Sequence, residues 1–215
     1  MSVELVLSAG SDLDIANAAR VSLNRESQTL TDADRGLILR LARDGHSSPF
    51  AQVWAKFKIS CSIGCSRQIA RHGHYIELNE HSTRYSEMPE EFVMPSLKRQ
   101  IGKAMDYTFT PLYPSERYTA EKAMETAYQA SYAAYKELRR QGISREDARS
   151  VLPLGLQTHL IASSHLKGWL RFLAQRTDPH AQDEIRGVAH EIEAHLRAAF
   201  PVALDAWDQC GRRAL

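Results

Sequence analysis

The chain has 215 residues, 27 Lys and Arg against 26 Asp and Glu, a formal net charge of +1 and three cysteines. That length suits one large domain or two small ones, and the near-neutral balance excludes a general nucleic-acid surface. An odd cysteine count argues against a disulfide framework and for a reducing cytoplasm, and neither a membrane-length apolar run nor a charged-then-apolar leader is present, so a soluble cytoplasmic protein is expected.

Val3 to Leu7 reads as a short strand, after which Ser11 or Asp12 caps a helix through Ile15, Ala18 and Ala19. Thr31 and Asp32 open a second helix with Leu37, Ile38 and Leu41 on one stripe, stopped by Gly45. His46 to Phe50 is expected to be a non-helical connection, because Pro49 disfavours the α region for Ser48. From Gln52 to Ser60, Val53, Ala55, Phe57 and Ile59 alternate with Gln52, Trp54, Lys56 and Lys58, the period of a strand with one wet face. Ser62 to His72 follows as a helix, with Gly73 as its left-handed stop and with Gln68, Arg71 and His72 sharing a face.

The stretch Arg67 to Tyr85 holds three arginines, three histidines, a Gln, an Asn, two Glu and a Ser in nineteen residues, with little apolar periodicity. Asn79, Ser82 and Arg84 end a turn-forming run, and together these donors suit a phosphate or a planar anionic ring. A solvated loop after a helix is the alternative reading.

Beyond Tyr85, Pro89, Pro95, Pro111 and Pro114 interrupt a weakly periodic segment, which reads as an irregular excursion or lid. Thr119 is expected to cap a long helix in which Met124, Tyr128, Tyr132, Tyr135 and Leu138 recur at helical spacing up to Gly142. The tyrosine stripe reads as core or subunit contact. Ser144 to Asp147 starts another helix that carries Arg149. A helix is expected from about Thr158 to Gln175, and Asp178 and Pro179 set the start of the last long helix, striped by Ile185, Val188, Ile192, Leu196 and Phe200. The whole reads as a mostly helical α+β single domain over residues 1–215, with a small β-sheet built from early strands.

Arg71-His72-Gly73, Asn79-Glu80 and Ser82-Thr83-Arg84-Tyr85 resemble the core motif of the flavin-dependent thymidylate synthase family. Supporting matches, in the family's order, are Ala19 to Ser22, His46 to Phe50, Arg67-Gln68, Ala148-Arg149, Leu152-Pro153, Thr158, Arg176 to Gln182, and Glu184-Ile185. The resemblance implies a homotetramer that binds FAD and a uridine monophosphate at subunit interfaces. NADPH would be the reductant and methylenetetrahydrofolate would carry a one-carbon unit to C5 of uracil. By carry-over, Gln68, Arg71, Glu80, Ser82, Thr83, Arg84, Arg176 and a neighbouring subunit's Arg149 would bind substrate, with Ser82 and Arg176 closest to the chemistry. Ser22, Ser48, Arg71, His72, His165, Lys167, Arg171 and His180 would contact the flavin. Nucleotide and folate are the implied partners, with no nucleic acid, membrane or metal.

The chain departs from the family pattern in several places. Gly73 stands where the motif has its second Arg, and one extra residue separates Gly73 from Ser82. Ala51-Gln52 replace the usual Glu-His, while His165 and Lys167 stand for Asn and Arg, the lysine losing a planar bidentate fork. This pattern is similar to a specialised branch, the UMP C5-methylases of nucleoside-antibiotic biosynthesis. A zinc site from Cys61, Cys65, His72 and His74 has poor spacing. A thiol nucleophile lacks an adjacent base, and both cysteines read as small buried residues. A nucleotide- or RNA-binding module without catalysis lacks paired stacking aromatics.

Overall fold

The computed structural model describes residues 1–103 and 106–215. Strand β1 (Ser2–Ala9) leads through the Ser11 N-cap to helix α1 (Asp12–Arg20). Helix α2 (Asp32–Asp44) opens on a complete capping box in which Thr31 and Asp34 exchange hydrogen bonds, and it closes on Gly45 at φ 76. The Asp34 carboxyl is buried, and the Thr31 hydroxyl leads the set of donors that lowers it to about 2. The expected non-helical connection before β2 (Trp54–Ser62) is instead a 3₁₀ turn at Pro49–Ala51, with Ser48 itself at φ −60 and ψ −36. A proline's fixed φ favours the first position of such a turn, and the bond from Ala51 N–H to the Ser48 carbonyl (3.1 Å) outweighs the steric preference against it.

Helix α3 (Ile63–Ala70) is shorter than its polar sequence implies. Arg71, His72 and Gly73 close on the carbonyls of Gln68, Ile69 and Ala70 in i→i+3 bonds, and Gly73 does not take a positive φ. Gln68, Arg71 and His72 therefore do not form one helical face: Arg71 is exposed while His72 is buried against the Phe172 ring, 5.0 Å between centroids. Asn79 sits in strand β3 (Glu77–Glu80), not in a turn. The segment read as an irregular lid contains a hairpin, β4 (Lys98–Lys103) with β5 (Asp106–Pro111), where Tyr107, Thr108, Phe109 and Thr110 supply β-formers.

Helix α4 (Pro114–Arg140) starts before Thr119, whose hydroxyl donates to the Ser115 carbonyl inside the helix. The start is set by Pro114 in the first turn and by Glu116, which accepts from the Tyr113 N–H at 3.0 Å. Helix α5 (Arg145–Ala148) is capped by Ser144 as its sequence implies. The helix expected from Thr158 is divided into strand β6 (Gln157–His165) and helix α6 (Leu166–Arg176). Thr158, Leu160, Ala162 and Ser164 are buried alternately along β6, a period of two inside an apolar run that length alone assigns to a helix. Asp178 and Pro179 do not start α7 (Asp183–Ala199), whose N-cap is Gln182, because Asp178 folds back to accept the His180 N–H at 2.8 Å. The last helix is α8 (Pro201–Gln209), with the buried Asp12 carboxylate accepting from Val202 and Ala203 N–H at 3.0 and 2.9 Å.

The main sheet has the order β1-β2-β6-β3, so a strand from the C-terminal half lies inside it and it is not built from early strands alone. Antiparallel register pairs Ser2 with Ser60 at one end of β1 and β2, and Asn79 with Ile161 in β3 and β6. Close contacts divide the chain into two compact units, the first formed by residues 1–60, 67–80 and 159–215 and the second by 61–66 and 81–158. In the first, Phe57, Trp169 and Phe172 meet edge to face, and the Trp169 indole donates to the Ala55 carbonyl at 3.1 Å. In the second, Met88, Tyr132, Tyr135, Ala148 and Leu156 form the core, with the Tyr132 hydroxyl donating to the Met88 carbonyl at 2.6 Å. The tyrosine stripe is thus core in part, and Cys61 and Cys65 are buried as expected.

Candidate active site

In the first unit the turn after α3 and the helix α6 bring together His72, Tyr75, Arg171 and Arg176, while Arg71 is exposed. Arg176, in the last turn of α6, donates its Nε–H to His72 Nε2 at 2.9 Å. His72 Nδ1 is hydrogen-bonded to the Tyr75 hydroxyl. Burial first, then the Arg176 charge and His74, lower the His72 imidazole to about 4, so it is neutral across the physiological range. Gln68 Nε2 donates to Gln182 Oε1 at 2.6 Å, joining two motif residues that lie far apart in the chain.

At the start of α6, His165 is the N-cap, and its Nδ1 accepts the Gly168 N–H at 2.8 Å. The proton of the neutral ring is then on Nε2, which is what His165 has left to offer a ligand. Burial, with the Lys167 charge beside it, holds His165 below its ordinary value. Gly168 is required here by close approach: a Cβ would run into Ser164 Oγ and lie 3.0 Å from the Tyr75 carbonyl oxygen. Arg171 lies over the Tyr75 ring at 5.3 Å. His180 is exposed and bonded through Nδ1 to Asp178 at 2.8 Å, and Glu80 is exposed at the end of β3.

Ser22 lies in a 3₁₀ turn at Val21–Leu23 that continues α1. Val21 and Ser48 border a groove of about 560 Å³ whose other lining side chains include Asp14, Asn17, Glu26 and Gln52. Only Ser48 among the expected flavin contacts lines it. Asp14, Asn17 and Glu26 carried no motif signal, while Gln52 is one of the two positions where the chain departs from the family's Glu-His.

In the second unit, Thr83 Oγ1 accepts from Arg149 Nη1 at 3.2 Å, so Arg149 meets the Ser-Thr-Arg motif of its own chain. Arg84 is paired with Glu146 at 3.0 Å, both half exposed, and the Ser82 hydroxyl accepts the Arg84 N–H at 3.4 Å. Beside them His81 Nδ1 is a buried nitrogen without a hydrogen-bond partner among the described residues. Sequence reasoning missed Tyr75, Glu146 and Ser164. Each acts by tertiary pairing that no local pattern encodes.

The order of these motifs on this fold defines a thymidylate synthase-type enzyme. Residues 4–202 match the model of the thymidylate synthase complementing protein family, and the chain belongs to that family. The chain is 34% identical to a flavin-dependent thymidylate synthase of Streptomyces coelicolor, over 99% of this chain and 92% of that one. It is 36% identical to one of Thermotoga neapolitana, over 95% and 89%. Among solved structures, the UMP/dUMP methylase PolB of Streptomyces cacaoi bound with 5-Br dUMP superposes with a TM-score of 0.90 at 33% identity, covering 100% of this chain and 97% of that one. The same methylase bound with 5-Br UMP gives 0.91, covering 100% and 96%. The family resemblance, the α+β fold class and the reading of the chain as an enzyme of this type all stand.

Proposed function

We propose that the chain catalyses flavin-dependent reductive methylation at C5 of a uridine monophosphate, accepting UMP as well as dUMP. The observation that carries this reading is the full-length likeness to a methylase whose structures hold both a ribose and a deoxyribose analogue. The cofactors proposed are FAD, with NADPH as reductant and methylenetetrahydrofolate as donor, in a cytoplasmic homotetramer.

Arg176 is the proposed partner of the pyrimidine. Its Nε is fixed by His72, and its Nη groups hold no hydrogen bond among the described residues. A guanidinium there stabilises the negative charge that reaches O4 and N3 as C5 becomes nucleophilic. Ser82, Thr83, Arg84 and Arg149 supply hydroxyl and guanidinium donors suited to a nucleotide phosphate and sugar, with Gln68, Arg71 and Glu80 completing the proposed substrate set. When bound, the flavin supplies the redox chemistry. The donor set fits such a group: Arg71, Lys167 and Arg171 are cations for a diphosphate, while Ser22, Ser48, His165 and His180 offer hydrogen bonds. The groove beside Ser48, lined by Asp14, Glu26 and Gln52, suits ring N–H and hydroxyl groups.

The test incubates the protein with FAD, NADPH, methylenetetrahydrofolate and either dUMP or UMP, and separates the products by chromatography. A roomy sugar pocket gives both 5-methyl products, with a preference of about 10- to 100-fold. A pocket built to bond the 2′-hydroxyl discriminates by roughly 10⁴-fold. Formation of dTMP alone makes the chain an ordinary thymidylate synthase, and no product from either substrate leaves a nucleotide-binding module.

A further inference from the structure

Arg176 is permanently charged and donates its Nε–H to His72 Nε2, so that nitrogen must present a lone pair. The proton of the neutral ring then belongs on Nδ1, where the Tyr75 hydroxyl is the partner. With the opposite tautomer, two N–H groups would face each other and Arg176 would lose its anchor. An acceptor at Nδ1 therefore selects the tautomer that holds the arginine.

Tyr75, half-buried, is itself held by several contacts. Its N–H donates to the His72 carbonyl at 3.0 Å, and its own carbonyl accepts the Ser164 hydroxyl. Its ring lies under Arg171 at 5.3 Å and against the edge of His74 at 4.3 Å. Gly168, by having no side chain, leaves the space in which Ser164 reaches the Tyr75 carbonyl. Tyr75 also falls between Gly73 and Ser82, the stretch that is one residue longer than the family motif. The tight turn from His72 to Tyr75, closed by the Tyr75 N–H, delivers the aromatic hydroxyl to the back of His72.

We propose that Tyr75 is a positioning residue for the methylation reaction, holding Arg176 in place through the His72 imidazole. The proposal rests on the reading of Arg176 as the partner of the pyrimidine. Tyr75 touches no reacting atom in this scheme. Its hydroxyl fixes one tautomer, the tautomer fixes the guanidinium, and the guanidinium meets charge that develops only in the transition state.

Tyr75→Phe keeps the ring under Arg171 and removes only the hydroxyl. In the flavin-loaded enzyme, kcat for UMP and dUMP should fall about 10-fold with KM changed less than about twofold, the pattern of an interaction realised in the transition state. An unchanged kcat overturns the proposal. Nitrogen-15 NMR of histidine- and arginine-labelled protein gives a readout independent of turnover. The wild type should show neutral His72 with its proton on Nδ1 and a slowly exchanging Arg176 Nε–H, and Tyr75→Phe should lose both signatures. Wild-type His72 protonated on Nε2 overturns the proposal without any variant, as does a Tyr75→Phe protein that keeps both signals. A wild type that methylates neither nucleotide defeats the functional reading instead, and the NMR result then decides the positioning network alone.

Discussion

Arg176 and His72 form a hydrogen bond, 2.9 Å from Nε to Nε2, in which a permanent cation faces a ring nitrogen that must stay unprotonated. Protonating His72 would place a second positive charge against the first in a buried setting, with His74 and the Tyr75 hydroxyl as its other polar neighbours. The pair is compatible only with the neutral imidazole.

This has a consequence for stability against pH. The folded His72 titrates at about 4, below its ordinary 6.5, so between those values the unfolded chain binds a proton that the native state refuses. Stability from this group is complete above about pH 6.5 and falls as the pH drops toward 4, by on the order of 3 kcal/mol in all. Urea unfolding at pH 7, 5.5 and 4.5, at one protein concentration, should show a steeper loss for wild type than for His72→Gln, which has no proton to refuse. Equal slopes for the two proteins would show that His72 titrates normally.

A second outcome concerns Gly168. Because an added Cβ meets Ser164 Oγ and the Tyr75 carbonyl oxygen, Gly168→Ala should destabilise by about 1 to 3 kcal/mol. Ser164→Ala removes the atom struck most closely, so the double variant should lose less than the sum of the two single losses, by at least about 0.5 kcal/mol. Strict additivity in denaturant titrations would mean that the backbone, not Ser164, takes the strain.

Several elements were legible because their signals are local. The Thr31 cap, the Gly45 stop, the alternation in β2 and the Ser144 cap each depend on a few neighbouring residues, and each is present. The polar stretch around His72 was also readable, since a run of donors without apolar periodicity seldom forms core. Its geometry was not: i→i+3 turns replace the helix after Ala70, and the packing of His72 against Phe172 is a tertiary contact that the polar local sequence does not announce. Strand β6 was hidden for a related reason. Gln157 to Arg176 is one continuous run, and only pairing with β2 and β3 separates its strand from its helix. Helix α8 draws its N-terminal partner from Asp12, far away in the chain, which no local motif can announce.

A third outcome tests the proposed phosphate grip. Arg84 is half exposed and shares its guanidinium with Glu146. Arg84→Ala should weaken dUMP or UMP binding by about 1.5 to 3 kcal/mol, the usual loss of a charge-assisted bond, whereas Lys56→Ala on β2 should change it little. Glu146→Gln removes the competing carboxylate and should leave affinity equal or tighter. Isothermal titration with equal losses for Arg84→Ala and Lys56→Ala removes Arg84 from the nucleotide site.

The last outcome concerns which chain supplies Arg149. Arg149 lies beside Thr83 of its own chain, yet the family resemblance has it serving a neighbouring subunit. The two arrangements differ in mixed oligomers. If one subunit contributes Arg176 and its neighbour Arg149, an Arg149→Ala chain and an Arg176→Ala chain can combine so that some sites keep both arginines. Random mixing in a closed oligomer makes that about a quarter of the sites. If one chain supplies both residues, every site in the mixture lacks one of them and activity stays at the level of the separate variants. The variants should therefore be co-expressed with different tags, the mixed oligomer isolated by sequential affinity steps, and turnover of dUMP or UMP compared with that of each parent. Recovery toward a quarter of the wild-type rate assigns Arg149 to the neighbour. No recovery, or a monomer by light scattering, assigns it to its own chain, where the 3.2 Å contact with Thr83 already holds it.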